Sequence, residues 1–167
     1  MIRPAKFVDI PRIVELMVEM QAASKYRDIS DVDERAAHNL VAHCVQRNGH
    51  TTDGGAWVTV VEFRGVVEGF MMGVLGRVYH IGKRLNADDA FLHCTKRAPR
   101  SAMTRLFDGY LKWAIDNPRV ATIKASWTDA LPGASRMSKL YGKKGFVRVG
   151  EIWERVATPP VELEMAA

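Results

Sequence analysis

A basic segment precedes a predicted helix in the second half of the chain and has the composition of an anion-binding loop. It lies between a strand predicted at about 88–95 and a helix predicted over 102–117. Its basic residues are Lys96, Arg97, Arg100 and, one turn into the helix, Arg105. The first N–H groups of a helix have no acceptor within it and carry the positive end of the helix dipole. This pattern suits a pyrophosphate, and the alternative is a solvated basic loop before an ordinary helix.

The second chemical feature is the segment 140–146, Leu-Tyr-Gly-Lys-Lys-Gly-Phe. Tyr141 lies near the end of a helix predicted over 134–144. A tyrosine with its ordinary pKa near ~10 is protonated at neutral pH, so it can return a proton to a leaving thiolate. The alternative is a tyrosine whose ring packs in the core.

Two His-Cys pairs, His43-Cys44 and His93-Cys94, invite comparison with metal sites. Neighbouring residues on a strand face opposite sides, so His93 and Cys94 are not expected to share one ion. Spacings such as Cys-x-x-Cys are missing, and no metal site is predicted. Cys94 as a nucleophile lacks an identified base. Two cysteines are also too few for a disulfide framework.

The elements that position these residues follow the order β-α-α-β-β-β-α-β-α-β-β. Apolar residues at helical spacing, beginning at Ile10, predict the first helix, and β-branched runs predict strands at 56–63 and 66–79. Two closing strands are predicted at 146–149 and 152–156. This order predicts a single α/β (α+β) domain over residues 1–157, followed by a frayed tail at 158–167.

Composition limits the classes of protein that are compatible with the sequence. The 167 residues are 47% hydrophobic and 26% charged, which excludes a disordered or low-complexity chain. No apolar stretch approaches the ~18–20 residues of a membrane helix, and the N-terminus lacks a secretory h-region, so a cytoplasmic location is expected. Lys and Arg number 24 against 19 Asp and Glu, giving +5, which is compatible with an anionic ligand, including nucleic acid or a phosphate-rich cofactor.

Over residues 1–156 the chain resembles the GCN5-related N-acetyltransferases (the GNAT family). The opening IRPAKFVDIPRIVELM is similar to the first strand and helix of that family. LYGKKGF at 140–146 is similar to its motif of Leu-Tyr, two or three variable residues and Gly-Phe. Residues 76–93 are also similar to small acetyltransferase-like proteins of tailed bacteriophages. The resemblance implies a mixed, mostly antiparallel central sheet flanked by helices.

The resemblance also implies direct transfer of an acyl group from acetyl-CoA to an amine, without a metal. Tyr141 would be the general acid and would also contact the cofactor, and Glu68 or Asp89 would be the base, with His80 or His93 behind them. The pantetheine would bond to the backbone of 92–94 and the pyrophosphate to the N–H groups of about 98–102. The implied cofactor-binding residues are Leu92, His93, Cys94, Arg97, Ala98, Pro99, Arg100, Ser101, Ala102, Ala134 and Tyr141.

Two positions depart from the family pattern. The family loop reads Arg/Gln-x-x-Gly-x-Gly/Ala, and in this chain Arg97 and Ala102 match its ends, whereas Arg100 replaces the middle glycine. Ala134 stands where the family has an asparagine seven residues before the tyrosine. We therefore retain a second hypothesis, a catalytically inactive GNAT-like domain that binds CoA or serves as a structural or interaction protein.

The partners follow from these hypotheses only as classes. The acceptor is a small-molecule or protein amine that the sequence does not identify. The chain lacks a basic helix or an aromatic-basic RNA motif, so nucleic acid is not an expected partner, and no membrane association is expected. The oligomeric state, a homodimer included, stays open.

Overall fold

The computed structural model describes residues 1–131, 133 and 135–155. Within them the chain forms five strands and four α-helices. These are β1 (Ile2–Pro4), α1 (Ile10–Ala22), α2 (Glu34–Gln46), β2 (Ala56–Phe63), β3 (Val66–Arg77), β4 (Leu85–Cys94), α3 (Ala102–Ile115), β5 (Val120–Lys124) and α4 (Arg136–Lys143). The predicted cofactor contact at Ala134, the final strand residue Val156 and the predicted tail at 158–167 lie outside the described residues.

The five strands form one sheet in the order β1-β2-β3-β4-β5. Neighbouring strands are antiparallel except β4 and β5, which are parallel. A parallel pair needs a crossover connection, and α3 supplies it. This mixed, mostly antiparallel sheet flanked by helices confirms the predicted fold class.

Helices cover both faces of the sheet, and each face has its own core. On one face α1 and α2 pack their apolar stripes, including Ile13 and Val41, against Val58 and Phe70. On the other face α3 packs against Met71 and its neighbours, and Tyr141 of α4 joins that cluster. β3 is therefore buried on both sides, which explains why its sequence is almost continuously apolar.

Close packing between α3 and the sheet depends on a glycine. A Cβ atom at Gly73 would lie 2.6 Å from ring atoms of Tyr110, which is fully buried. The Tyr110 ring therefore lies directly on the β3 backbone. Its hydroxyl donates to the carbonyl oxygen of Lys124 at 2.9 Å, which fixes the end of β5.

The predicted closing strands at 146–149 and 152–156 are wrong for the residues that the structure describes. Residues 146–155 form no strand, and the side chains of Val147, Val149, Ile152 and Trp153 are largely exposed. Strand propensity reflects a fit to a neighbouring strand, and in the described part of the chain this segment pairs with none. Two boundaries also differ, because β4 begins at Leu85 rather than near 88 and β3 ends at Arg77 rather than 79.

No helix in the described parts of the chain combines the length and the apolar character needed to cross a bilayer.

Candidate functional site

The parallel strands β4 and β5 separate about halfway along β4. They pair from Leu85 with Val120 to Asp88 with Lys124, where β5 ends, whereas β4 continues to Cys94. β4 also bulges at Ala90, because its neighbours Asp89 and Phe91 pair with consecutive residues of β3. Beyond Asp88, the β4 edge that faces β5 has no partner strand among the described residues. Its backbone groups are therefore available to a ligand.

Three polar side chains meet where the strands part. Asp89 lies on β4, Ser126 follows β5, and Tyr141 comes from α4. The Ser126 backbone N–H donates to both oxygens of Asp89, at 2.9 and 3.1 Å, and its hydroxyl donates to Oδ1 at 3.1 Å. The Tyr141 hydroxyl donates to the Ser126 carbonyl oxygen at 2.8 Å and reaches Asp89 Oδ2 at 3.4 Å. An acid and a base thus stand side by side.

The end of α4 explains how the 140–146 segment places Tyr141. Gly145 has φ +84°, a left-handed conformation that reverses the chain after the helix. The Phe146 N–H then donates to the Tyr141 carbonyl oxygen at 3.1 Å, and its ring lies 5.8 Å from the Tyr141 ring. The ring of Phe107, in α3, also packs against the Tyr141 ring, with 5.1 Å between the two ring centroids. The phenol is therefore held rigidly, with 7% of the residue exposed.

The environment sets the protonation of both groups. Burial raises the pKa of Asp89 to about 6, against the opposing effect of the hydrogen bonds from Ser126 and Tyr141. Burial, followed by the charge of Asp89, also raises the pKa of the Tyr141 phenol. Near neutral pH, Asp89 is therefore largely ionised and can accept a proton, while Tyr141 keeps its proton and can donate it.

Glu68 lies elsewhere and has other partners. Its carboxylate accepts from the Thr95 hydroxyl at 2.7 Å and pairs with Arg97 Nε at 2.8 Å. The Thr95 hydrogen bond and then the Arg97 contact lower the pKa of Glu68 against the effect of burial. Thr95 lies six residues beyond Asp89, roughly 20 Å along an extended strand. Glu68 is thus placed to fix the turn after β4, and the structure does not bring it to the Asp89 and Tyr141 pair.

The basic loop leads into α3 as predicted, but its available N–H groups lie slightly later than expected. The N–H groups of Ala98 and Ala102 donate to Thr95 and Pro99, and Pro99 has none. Among the described residues, the N–H groups of 100, 101, 103 and 104 have no protein acceptor. The anion-binding geometry therefore centres on 100–104 rather than on 98–102. Arg97 points its Nε at Glu68, while Lys96, Arg100 and Arg105 are exposed.

The end of β4 places its side chains on alternate faces. Leu92 and Cys94 pack with the α3 core, whereas His93 pairs with Phe70 and shares its face, toward α1. Burial raises the pKa of Cys94 to about 12, so its thiolate is scarce at neutral pH. Burial lowers the pKa of His93. Within the described ranges, no group of three His, Cys, Asp or Glu side chains is placed to hold a metal ion.

Comparisons with solved structures address the fold. An acetyltransferase from Trypanosoma brucei matches with a TM-score of 0.65 at 12% identity, covering 95% of this chain and 99% of its own. A ribosomal-protein-alanine N-acetyltransferase from Brucella melitensis matches at 0.58 and 12% identity, covering 95% and 96%. A transcriptional regulator from Bacillus halodurans matches at 0.66 and 14% identity, covering 93% and 98%. No family model and no curated protein matches the sequence.

The chain has the GNAT fold. At 12–14% identity, the structural similarity establishes the fold alone. The activity has to be argued from the site. The similarity of residues 76–93 to phage proteins stays a prediction.

Two residues of the site, Ser126 and Thr95, were not predicted from the sequence. Ser126, which donates hydrogen bonds to Asp89, follows β5 as part of a polar segment. The sequence signal for this contact is its position directly after a strand that pairs with β4. Thr95 and its bond to Glu68 were missed as well. His80, predicted behind the base, lies at the opposite end of β3 in an exposed turn. Asp89 and Tyr141, by contrast, were both named from the sequence and lie together.

Proposed function

We propose that this protein is an N-acetyltransferase that moves an acetyl group from acetyl-CoA to an amine of a small molecule or a protein. The observation that carries the proposal is the pair of Asp89 and Tyr141 at the point where β4 and β5 separate. One group there accepts a proton and the other donates one, beside a strand edge that can hold an extended ligand. The similarity of the fold to acetyltransferases supports the same reaction class.

The described residues fit the donor. The unpaired edge of β4, at 90–94, offers backbone groups to an amide-bearing chain such as pantetheine. The N–H groups of 100, 101, 103 and 104 and the side chains of Lys96 and Arg100 offer positive charge to a pyrophosphate. Acetyl-CoA, when bound, supplies an activated acetyl group and a thiolate leaving group. Ala134, the other predicted contact, lies outside the described residues.

The chain's own groups then handle protons. An amine attacks only when it is neutral, and ionised Asp89 can accept the proton of the incoming ammonium at an Oδ atom, directly or through a water. The Tyr141 hydroxyl can donate its proton toward the departing thiolate. Cys94 is unsuited to carry the acyl group, because its raised pKa keeps it a thiol. We therefore infer direct transfer rather than a covalent enzyme intermediate.

A thiol-release assay over a panel of amines tests the proposal. Polyamines, aminoglycosides, amino acids and peptide N-termini are each incubated with acetyl-CoA and the purified protein. Turnover of at least one class that is lost in Asp89→Asn supports the proposal. Turnover should also fall in Tyr141→Phe. The matched control is Tyr79→Phe, which should keep wild-type turnover because Tyr79 is 90% exposed in the turn after β3. No turnover with any class would reject the enzymatic function.

A second candidate is a GNAT-fold domain that binds CoA without turnover. Arg100 occupies the place where the family loop has glycine, and the Tyr141 hydroxyl already donates to the Ser126 carbonyl oxygen. Both features are compatible with a site that has lost its chemistry. This candidate predicts CoA binding without acetylation of any amine in the panel, and Tyr141→Phe would then leave CoA affinity unchanged.

A further inference from the structure

Three adjacent strand ends carry arginines at the end of the sheet opposite the α3 loop. Arg77 is the last residue of β3, Arg84 precedes β4, and Arg119 precedes β5. Together with Lys83 they line an open depression of about 420 Å³. Among the residues that the structure describes, Asp53 is the one carboxylate that lines it.

The backbone fixes these cations next to one another. The Leu85 N–H donates to the Arg119 carbonyl oxygen at 3.0 Å, and the Val78 N–H donates to that of Arg84 at 3.0 Å. Asn117, only 4% exposed, accepts from the Arg119 N–H at 3.0 Å and donates to the Thr51 carbonyl oxygen at 3.0 Å. The depression is thus built on the rigid end of the sheet.

Of the described residues that line this depression, four are cationic and one is a carboxylate. Arg77 Nε donates to Asp53 at 3.0 Å, and Arg84 Nη2 donates to the Val120 carbonyl oxygen at 3.0 Å. Among the described residues, the side chains of Lys83 and Arg119 have no hydrogen-bond or ion-pair partner. Like charges on neighbouring strands repel one another. A bound anion would offset this repulsion.

We propose that this depression is an anion site for a phosphate-bearing ligand with at least two negative charges. Guanidinium groups bind phosphate through two parallel hydrogen bonds, and one phosphate group can face more than one cation. The site is distinct from the proposed cofactor loop, because the ten residues of β4 separate the two by about 30 Å. It does not depend on the acetyltransferase activity.

Calorimetric titration with sodium tripolyphosphate tests the site. The double variant Lys83→Gln/Arg119→Gln should weaken binding about tenfold or more, because it removes two charge-assisted contacts. These exposed side chains make no bond that the fold needs. The control Arg35→Gln/Lys139→Gln removes the same charge from exposed positions on α2 and α4 and should leave affinity nearly unchanged. Equal loss in both double variants would show nonspecific charge attraction and overturn the proposal.

Two further variants locate the ligand. Asp53→Asn removes the competing carboxylate and frees Arg77, so affinity should rise about two- to fivefold. Arg100→Gln, in the α3 loop, affects only tripolyphosphate that binds at that loop, so the loss of affinity caused by Lys83→Gln/Arg119→Gln should be the same with and without it. Loss of binding in Arg100→Gln with no loss in Lys83→Gln/Arg119→Gln would place the phosphate at the cofactor loop and reject the site, as would absence of binding to the wild type.

The source of the phosphate is distinguished by a second probe. A fluorescent twelve-residue oligothymidylate is titrated at two salt concentrations. Binding that is tighter than that of tripolyphosphate, falls steeply with salt and is lost in Lys83→Gln/Arg119→Gln assigns the site to a nucleic-acid backbone. Binding of tripolyphosphate alone assigns it to a small phosphorylated ligand.

Discussion

Asp89 is shielded from solvent and lies where β4 and β5 diverge. Its ionisation should therefore appear in the pH dependence of the reaction rate. With a pKa of about 6, its ionised fraction rises between pH 5 and 7. We expect kcat/KM of the wild type to rise through pH 6 and to level off above pH 7. Asp89→Asn should lower the plateau about 10²-fold or more and abolish this inflection. A pH profile recorded for both proteins with one accepted amine checks this, and an unchanged inflection in the variant would assign it to another group.

Substitution of Tyr141 distinguishes a catalytic role of its hydroxyl from a packing role of its ring. Tyr141→Phe keeps the ring against Phe107 and Phe146 but removes the hydroxyl that donates to Ser126. Turnover should fall by about 10²–10⁴, with CoA affinity nearly unchanged. The lost hydrogen bond should reduce the free energy of unfolding by only about 1 kcal/mol. Steady-state kinetics and calorimetry measure the two effects, and wild-type turnover in the variant would remove Tyr141 as the general acid.

At the scale of elements, the turn from β4 to α3 is fixed by a carboxylate rather than by a helix cap. Ser101 precedes α3 without a capping side-chain bond, whereas Glu68 of β3 holds Thr95 and Arg97. Glu68→Gln should therefore lower the free energy of unfolding at pH 7 by about 1–3 kcal/mol.

The sign of the pH dependence follows from the direction of the shift. The pKa of Glu68 is lowered in the folded state, so its stabilising contribution is present above the ordinary glutamate range and is lost as the pH falls through the folded value. The stability difference between wild type and Glu68→Gln should shrink on acidification. Urea unfolding at pH 7 and near pH 3 measures it, and a difference that is constant with pH would contradict the assignment.

The two loop arginines should differ, since in the described part of the chain Arg97 forms an ion pair and Arg100 has no partner. Arg100→Ala should weaken CoA binding by about 1–3 kcal/mol if its guanidinium contacts phosphate. Arg97→Ala should mainly destabilise the fold, because Arg97 pairs with buried Glu68. Calorimetric CoA titrations of both variants test this. Tighter binding in Arg100→Gly would show that Arg100 obstructs the loop, and unchanged affinity in every variant would mean that the loop does not hold the pyrophosphate.

Across the whole molecule, local patterns predicted the elements up to α4 but not the absence of strands at 146–155, and the site depends on long-range pairing. The spacing of Ile10, Ile13 and Val14 predicted α1, and all three are buried. The Leu-Tyr and Gly-Phe spacing placed Tyr141 at the end of a short helix because a glycine must reverse the chain there. The partner of Glu68 could not be predicted, since it depends on the register of β3 against the residue after β4.

The position at which acetyl-CoA binds decides whether Asp89 and Tyr141 can act on it, and amide chemical shifts locate that position residue by residue. Uniformly ¹⁵N-labelled protein is titrated with acetyl-CoA to millimolar concentration, the upper end of typical KM values. We predict saturable shifts at the N–H groups of 90–94 and 100–104, with little change in β1 and β2. Absence of saturable shifts at millimolar acetyl-CoA, or shifts confined to residues away from the divergence of β4 and β5, would show that the donor does not bind along the free edge of β4.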